Sequence, residues 1–451
     1  MSPTAIRLSV MMFLQFFIWG AWYVTVGNYM KAHGMFGEVG WAYTVGPIAA
    51  LISPFFLGMV ADRFFATERV LGVLHLLGGA AILCAPFAVA AGPGPFIGVL
   101  LVHMLCYMPT LGLTNTLAFH NIVNQEKEFP IVRVFGTIGW IAANWVVSKG
   151  FHADFSPIQF YVTAAACFAL GFFSFTLPHT PPPAKGQKAA VRDILGLDAL
   201  KLMKEPSFAV FIVSSFLICI PLAAYYAFAP VFAGSVGFSD PAFTMSFGQI
   251  SEIIFMLLMP LFFARLGAKW MLAIGMLAWV VRYGLFAAAD ANDVMWLVFL
   301  GILLHGICYD FFFVTGFIYT DKKCSPAIRG QAQGLLVLVT QGLGLGIGAQ
   351  IIGRIVGRFT PPEAQTLNAE SAEIAKRAFA MTDQAAAKPL FEQANELGHQ
   401  ASQLMDWQTI WLIPCIAAAV VMVLFILLFR DNSGKATPGD VAQAATEDQQ
   451  P

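Results

Sequence analysis

Residues 407–429 read WQTIWLIPCIAAAVVMVLFILLF, 23 positions without one charged side chain. At about 1.5 Å per residue a helix of that length is about 34 Å long, enough to cross a hydrocarbon core of about 30 Å. Barrel strands are short and alternate apolar with polar residues. A run this long and uniform is instead a helix, which satisfies its own backbone in lipid. Working outward, comparable runs bounded by charge, Gly or Pro lie near 7–30, 40–61, 70–90, 95–119, 131–150, 157–178, 208–234, 242–264, 270–289, 294–319 and 328–357. The sequence therefore predicts an all-α integral membrane protein with twelve transmembrane helices.

Composition agrees. The chain of 451 residues is 58% hydrophobic and 11% charged, where a soluble protein carries about 25% charge. Twenty-five cations against 26 carboxylates leave a net charge of −1, which offers no basic face for the phosphates of a nucleic acid. Six of the seven cysteines fall inside apolar runs and Cys324 stands alone in a basic loop, so no disulfide or zinc framework is expected. The run after Arg7 is too long for the apolar core of a signal peptide and reads as the first span.

Cations order the connections. Sixteen of the 25 fall in one alternating set, among them Arg63, Arg69, Lys127, Lys185, Lys188, Arg192, Lys322, Lys323 and Arg430, and six in the other. By the positive-inside rule both termini are expected in the cytoplasm. The Pro181-Pro182-Pro183 stretch with five cations reads as a linker, dividing the chain into a first six-helix half (1–178), a linker (179–207) and a second half (208–430). A degraded echo of Gly58-x-x-x-Asp62-Arg63 at Arg265–Lys269 marks the halves as tandem copies. Residues 358–406 form a long outer loop whose Ala/Glu/Gln pattern suggests one or two surface helices broken at Pro389. The polar tail 431–451 is expected to be disordered.

Five charges lie deep in spans: Arg133, Glu252, Arg282, Asp310 and Arg354. Each costs about 2.5–3.5 kcal/mol at the centre of a helix, so each needs a partner, a wet cavity or a task. Glu252 and Asp310 are the only carboxylates among them. A carboxyl group that meets an apolar surrounding and a guanidinium in turn is able to load and release a proton. Gln249, three residues before Glu252, shares its face and could join it in hydrogen-bonding a diol or a base edge. Arg133 reads either as a bidentate ligand for a carbonyl or carboxylate, with Thr137 and Trp140 on nearly the same stripe, or as a snorkelling interfacial residue. Asp310 reads as a proton carrier or as the partner of an arginine. Arg282 and Arg354 read as structural. Gln15, Trp19, Trp22 and Asn115 are weaker cavity candidates, His305 either faces the cavity or packs helices, and Gly342 to Gly348 suggests close helix packing. No nucleophile elbow, zinc-helix or P-loop motif is present, so no enzyme is expected.

Twelve spans, a basic mid-chain linker and the G-x-x-x-D-R loop resemble the major facilitator superfamily. Within it, Leu14–Gly20, Tyr107–Thr116, Arg133–Gly139, Gln249–Glu252, Asp310-Phe311-Phe312, Ser325–Arg329 and Asp406–Trp411 are similar to the nucleoside:proton symporter family. That resemblance implies a monomer in the bacterial inner membrane that imports nucleosides with protons, has no cofactor beyond the coupling proton, and holds substrate between its halves. It assigns substrate contact to Arg133, Thr137, Trp140, Gln249, Glu252 and Tyr309, proton coupling to Asp310 and Glu252, and a cytoplasmic gate to Gly58, Asp62 and Arg63. Simple positive-inside punctuation is the alternative for that loop. Span seven departs from the pattern: the family presents Gln and Asn, and this chain reads Pro221-Leu222-Ala223-Ala224-Tyr225-Tyr226. The other expectations are a symporter of a sugar or polyol, motivated by that departure, and a non-transporting membrane receptor, motivated by the 358–406 loop.

Overall fold

The computed structural model describes residues 2–56, 64–122, 125–182, 198–292, 294–324, 328–381 and 384–430. Gly58, Asp62, Arg63, most of the linker and the tail from 431 lie outside the described residues. Within them every regular element is helical. Ten helices are long and apolar enough to cross a membrane: Pro3–Ala32, Thr67–Val89, Pro93–Asn121, Ile131–Gly150, Pro206–Ser235, Pro241–Met259, Leu261–Asp290, Met295–Lys323, Gln331–Arg358 and Trp407–Leu428. Val39–Phe56 and the shorter Ile158–Ser174 occupy the two remaining expected positions. Spans eight and nine run together as Pro241–Asn292, broken only at Gly267, whose φ of 67° lies in the left-handed region that glycine adopts freely.

Three spans contain a π-helical segment, Trp145–Gly150 in span five, Asp310–Val314 in span ten and Leu338–Gly344 in span eleven. Such segments widen a helix locally and are frequent at functional positions. One of them begins at the carboxylate singled out from the sequence.

One end of the bundle carries a helical hairpin. The hairpin consists of Pro362–Ala380 and Gln384–Gln403, joined where the Ser371 hydroxyl donates to the Ala394 carbonyl at 2.7 Å. Pro389 sits inside the second helix without breaking it, a correction to the sequence reading. It costs one ladder bond in the second turn, where the pattern of Ala394 and Ala401 against the rest of the protein, both fully buried, keeps the helix running. The hairpin does not stand off in solvent. It lies across the ends of spans one and seven, with Gly34 against Ala372 and Lys31, only 1% exposed, placing Nζ 3.5 Å from Ser402 Oγ.

At that same end the first six spans are tied to the last six. Lys149 Nζ pairs with Asp240 at 2.7 Å and His152 approaches the same carboxylate at 3.4 Å. The Ala242 amide donates to Asp154 at 3.0 Å, Trp145 Nε1 to Ser246 at 2.8 Å, and Gln350 Nε2 to Thr44 at 2.8 Å. The hydrogen bond from Lys149 holds the Asp240 carboxyl below its ordinary value. Burial pushes that of Asp154 up. Among the described residues these bonds between the two sets of spans all fall at the hairpin end, so the bundle is closed there.

Candidate functional site

Near the middle of the bundle, spans one and five face spans seven, eight and ten. On the first side, Arg133 is half-buried with its guanidinium 4.2 Å from the centre of the Phe16 ring. Two turns further on, Trp140 stands edge-on to Trp19 at 5.5 Å and 6.2 Å from Tyr23. Thr137 lies between them on the same stripe of span five. The backbone of Trp140 comes so close to Gly20 that a side chain there would lie 3.0 Å from its carbonyl oxygen. Spans one and five thus act as one rigid wall of aromatic rings with a single cation. Tyr23 reaches across it to Tyr226 of span seven at 6.3 Å.

The facing wall carries the acids. Glu252, its side chain 12% exposed, places a carboxylate oxygen 3.7 Å from Nε2 of His305. A Cβ built on Gly306 would lie 2.5 Å from the Ser251 carbonyl oxygen, and Ser251 itself donates to the Leu303 carbonyl at 2.6 Å. Only glycine at 306 lets spans eight and ten approach closely enough to set Glu252 beside His305. The imidazole is stacked on Tyr225 at 5.5 Å and on Tyr309 at 5.8 Å. Arg282 covers the other reach of Tyr225, 4.0 Å from its centre, and donates Nε–H to the Gly301 carbonyl at 3.0 Å. Glu252 and Asp310 lie on spans eight and ten, which meet closely at Gly306.

Asp310 is fully buried at the start of its π-helical segment. Neither carboxylate oxygen has a hydrogen-bond partner among the described residues, and the same holds for both terminal nitrogens of Arg282, Nδ1 of His305 and the Tyr225 hydroxyl. A charge or polar group left unpaired in a dry interior is costly, and concentrations of such groups are where function repays the cost.

The expected site residues therefore fall into two groups: Arg133, Thr137 and Trp140 on one wall, and Gln249, Glu252, Tyr309 and Asp310 on the other. Gln15 and Trp22 do not line the cavity as expected. Both are fully buried inside the first set of spans, where Gln15 Nε2 donates to Thr110 at 2.7 Å, the Gln15 side-chain carbonyl meets His75 Nε2 at 2.8 Å, and the Tyr107 hydroxyl donates to the Gln15 backbone carbonyl at 2.8 Å. Trp19 is on the wall; Asn115 is exposed. The sequence reading left His305 undecided and did not single out Tyr225 or Tyr226. The spacing from Glu252's neighbours to span ten carried no signal, because only the helix pairing brings them together.

The Nucleoside H+ symporter family profile matches residues 1–434. The chain is 38% identical over 445 residues to the putative nucleoside transporter YegT of Escherichia coli strain K12, covering 96% of each. It is 32% identical over 443 residues to the nucleoside permease NupG of the same strain, covering 94% of this chain and 96% of NupG. The crystal structure of NupG superposes with a TM-score of 0.78 at 30% identity, over 95% of this chain and 99% of that one.

Proposed function

The chain belongs to the nucleoside H+ symporter family, and from that premise we propose that it imports nucleosides with protons across a bacterial inner membrane, its hairpin end outside and both termini in the cytoplasm. The observation that carries the proposal is the pairing of an aromatic, singly cationic wall with a facing wall that holds two carboxylates. A nucleobase offers π faces, and stacking is worth about 1–3 kcal/mol per base whatever its identity. Trp140, Trp19 and Tyr309 supply such faces. Arg133 and Thr137 donate to carbonyl oxygens of the ligand from one side, and Glu252 with Gln249 accepts from and donates to ribose hydroxyls from the other.

Asp310 carries the coupling proton. Without a countercharge in contact, it is suited to hold a proton, and it is one step from Glu252, which the ligand engages. When the first and last six spans rock about the site, the link between the two acids lets ligand and proton move together. With the hairpin end latched, ligand and proton exchange in this state through the opposite, cytoplasmic end. The gate loop Gly58, Asp62 and Arg63 latches the opposite end in the other state.

The test is uptake of labelled uridine into proteoliposomes under an imposed pH gradient. Accumulation that collapses when the gradient is dissipated supports the reading; uptake indifferent to the gradient overturns the coupling. A second reading rests on span seven, where Pro221–Tyr226 carries no amide and ends in Tyr225 and Tyr226. Tyrosine hydroxyls and rings also suit a sugar or polyol. Competition of uridine uptake by a panel of nucleosides, sugars and polyols separates the two: inhibition by a sugar alone favours the second.

A further inference from the structure

Span eleven turns its polar stripe the wrong way for a membrane helix. Charged side chains in spans ordinarily face the bundle interior. Here the buried face of Leu345–Arg358 is apolar, with Gly348, Ala349, Ile352 and Val356 buried, while Arg354 and Arg358 are exposed and share their side of the helix with Ile347 and Ile351, which are 43% and 37% exposed. Among the described residues neither arginine has a carboxylate within ion-pair distance.

Beneath Arg354 runs a groove of about 310 Å³ along the seam between spans two and eleven. Its floor is apolar, made by Pro47, Ile48 and Leu51 of span two and by Gly346, Ile347 and Ile351 of span eleven. Glycine shapes it: Gly346 lies against Pro47 and Gly342 against Leu51, so the helices meet without side chains filling the space. Its one polar contact, the Gln350–Thr44 hydrogen bond, lies just below the arginines. Arg354 is four residues, about 6 Å, from the end of the helix.

The geometry points to a binding site for one anionic phospholipid of the outer leaflet, its phosphate between Arg354 and Arg358 and one acyl chain along the groove. The occupant is fixed by complementarity at both ends: two unpaired cations for a negative headgroup, and an apolar channel lying in the bilayer for a chain. Arginine recognises phosphate with a planar, bidentate fork. A lipid seated there touches both span two and span eleven, across the seam that closes the hairpin end.

The full-length protein, purified and reconstituted in nanodiscs, tests this. Native mass spectrometry counts retained phosphatidylglycerol against phosphatidylcholine of the same chains, and thermal unfolding follows each lipid's stabilisation. The wild-type protein is expected to retain phosphatidylglycerol selectively and to unfold at higher temperature with it. The R354Q/R358Q variant is expected to bind it roughly twenty-five-fold more weakly, about fivefold for each arginine near the membrane surface. I351W, which fills the groove and leaves both arginines in place, is expected to lose the same lipid, and R7Q at the other end of the bundle to keep it. Equal retention by R354Q/R358Q and wild type overturns the site. Equal stabilisation by soluble glycerol 3-phosphate overturns the acyl-chain half of it, as does retention by I351W.

Discussion

Each half of the chain buries a polar cluster in its interior, and the two are built differently. In the first, Gln15 is bonded through its amide nitrogen to Thr110 and through its amide oxygen to His75, and its backbone carbonyl accepts from Tyr107, all between 2.7 and 2.8 Å. In the second, Asp310, Arg282, His305 and Tyr225 together leave six buried polar atoms without a partner among the described residues. A fully satisfied network rigidifies a core, whereas a partly satisfied one is held only where something else requires it. The contrast assigns the Gln15 cluster to support, fixing spans one, three and four so that Trp19 and Tyr107 stand still at 5.7 Å. It assigns the second cluster to the moving proton.

The largest effect expected from breaking that contrast is at its least satisfied member. Coupling free energies of about 1–3 kcal/mol correspond to roughly 5–150-fold, and Asp310→Asn, which keeps the volume and removes the titration, is expected to lose gradient-driven uptake toward the upper end of that range. Facilitated exchange of uridine at zero gradient, measured on the same vesicles, is expected to survive. Gradient-driven uptake at the wild-type rate would move the coupling elsewhere.

Next come the two residues that face each other across the site. A hydrogen bond to a charged group is worth about 1.5–3 kcal/mol, so Glu252→Gln and Arg133→Ala are each expected to raise the KM for uridine by roughly ten- to a hundredfold. Glu252→Gln is the sharper probe, because it also changes what His305 meets at 3.7 Å. It is expected to alter the pH profile of uptake, where Arg133→Ala alters affinity alone. Matching pH profiles for both would erase the division of labour between the walls.

How much of this was legible in the sequence follows the same division. The helices were, because an uncharged run such as 407–429 has one stable state in lipid. The lone acids were as well, since Glu252 and Asp310 stand out against 11% overall charge. The facing of helices was not. In a soluble helix apolar periodicity tells inside from outside, but a span such as Pro206–Ser235 is apolar on every side, and so Gln15 read as a cavity residue although it is buried in the first cluster. His305 needed the close approach at Gly306, which rests on two helices distant in sequence. Arg354 read as structural because depth was visible and direction was not.

A smaller effect tests the supporting cluster. Gln15→Leu removes the two side-chain bonds of the anchor, keeps the backbone carbonyl that accepts from Tyr107, and leaves His75 Nε2 short of a partner while Thr110 still donates to the Tyr107 carbonyl, a cost of about 1–3 kcal/mol for the buried group left unpaired. Lower thermal stability with the proton-to-uridine ratio unchanged is the expected result. A changed ratio would mean that the satisfied network also takes part in coupling.

The smallest effect concerns a partly buried histidine under the outer hairpin. His33 is bonded through Nδ1 to the Tyr29 carbonyl at 2.7 Å and packs on Phe391 at 5.5 Å, and burial pushes its pKa down to about 4. An unfolded histidine titrates near 6.5. Between those values the unfolded chain binds a proton that the folded one does not, so the stability that the neutral ring contributes is intact above about pH 6.5 and is lost progressively as pH falls toward 4. Hydrogen exchange in 362–403 is therefore expected to quicken on acidification across that window in the wild type, and His33→Gln, which carries no titrating ring, to flatten the response. Uridine accumulation per unit of pH gradient should be the same in both proteins. If His33→Gln changed that coupling, a hydrogen-bonded histidine of the first half would be handling protons, and the satisfaction of a buried polar group would no longer separate the supporting cluster from the working one.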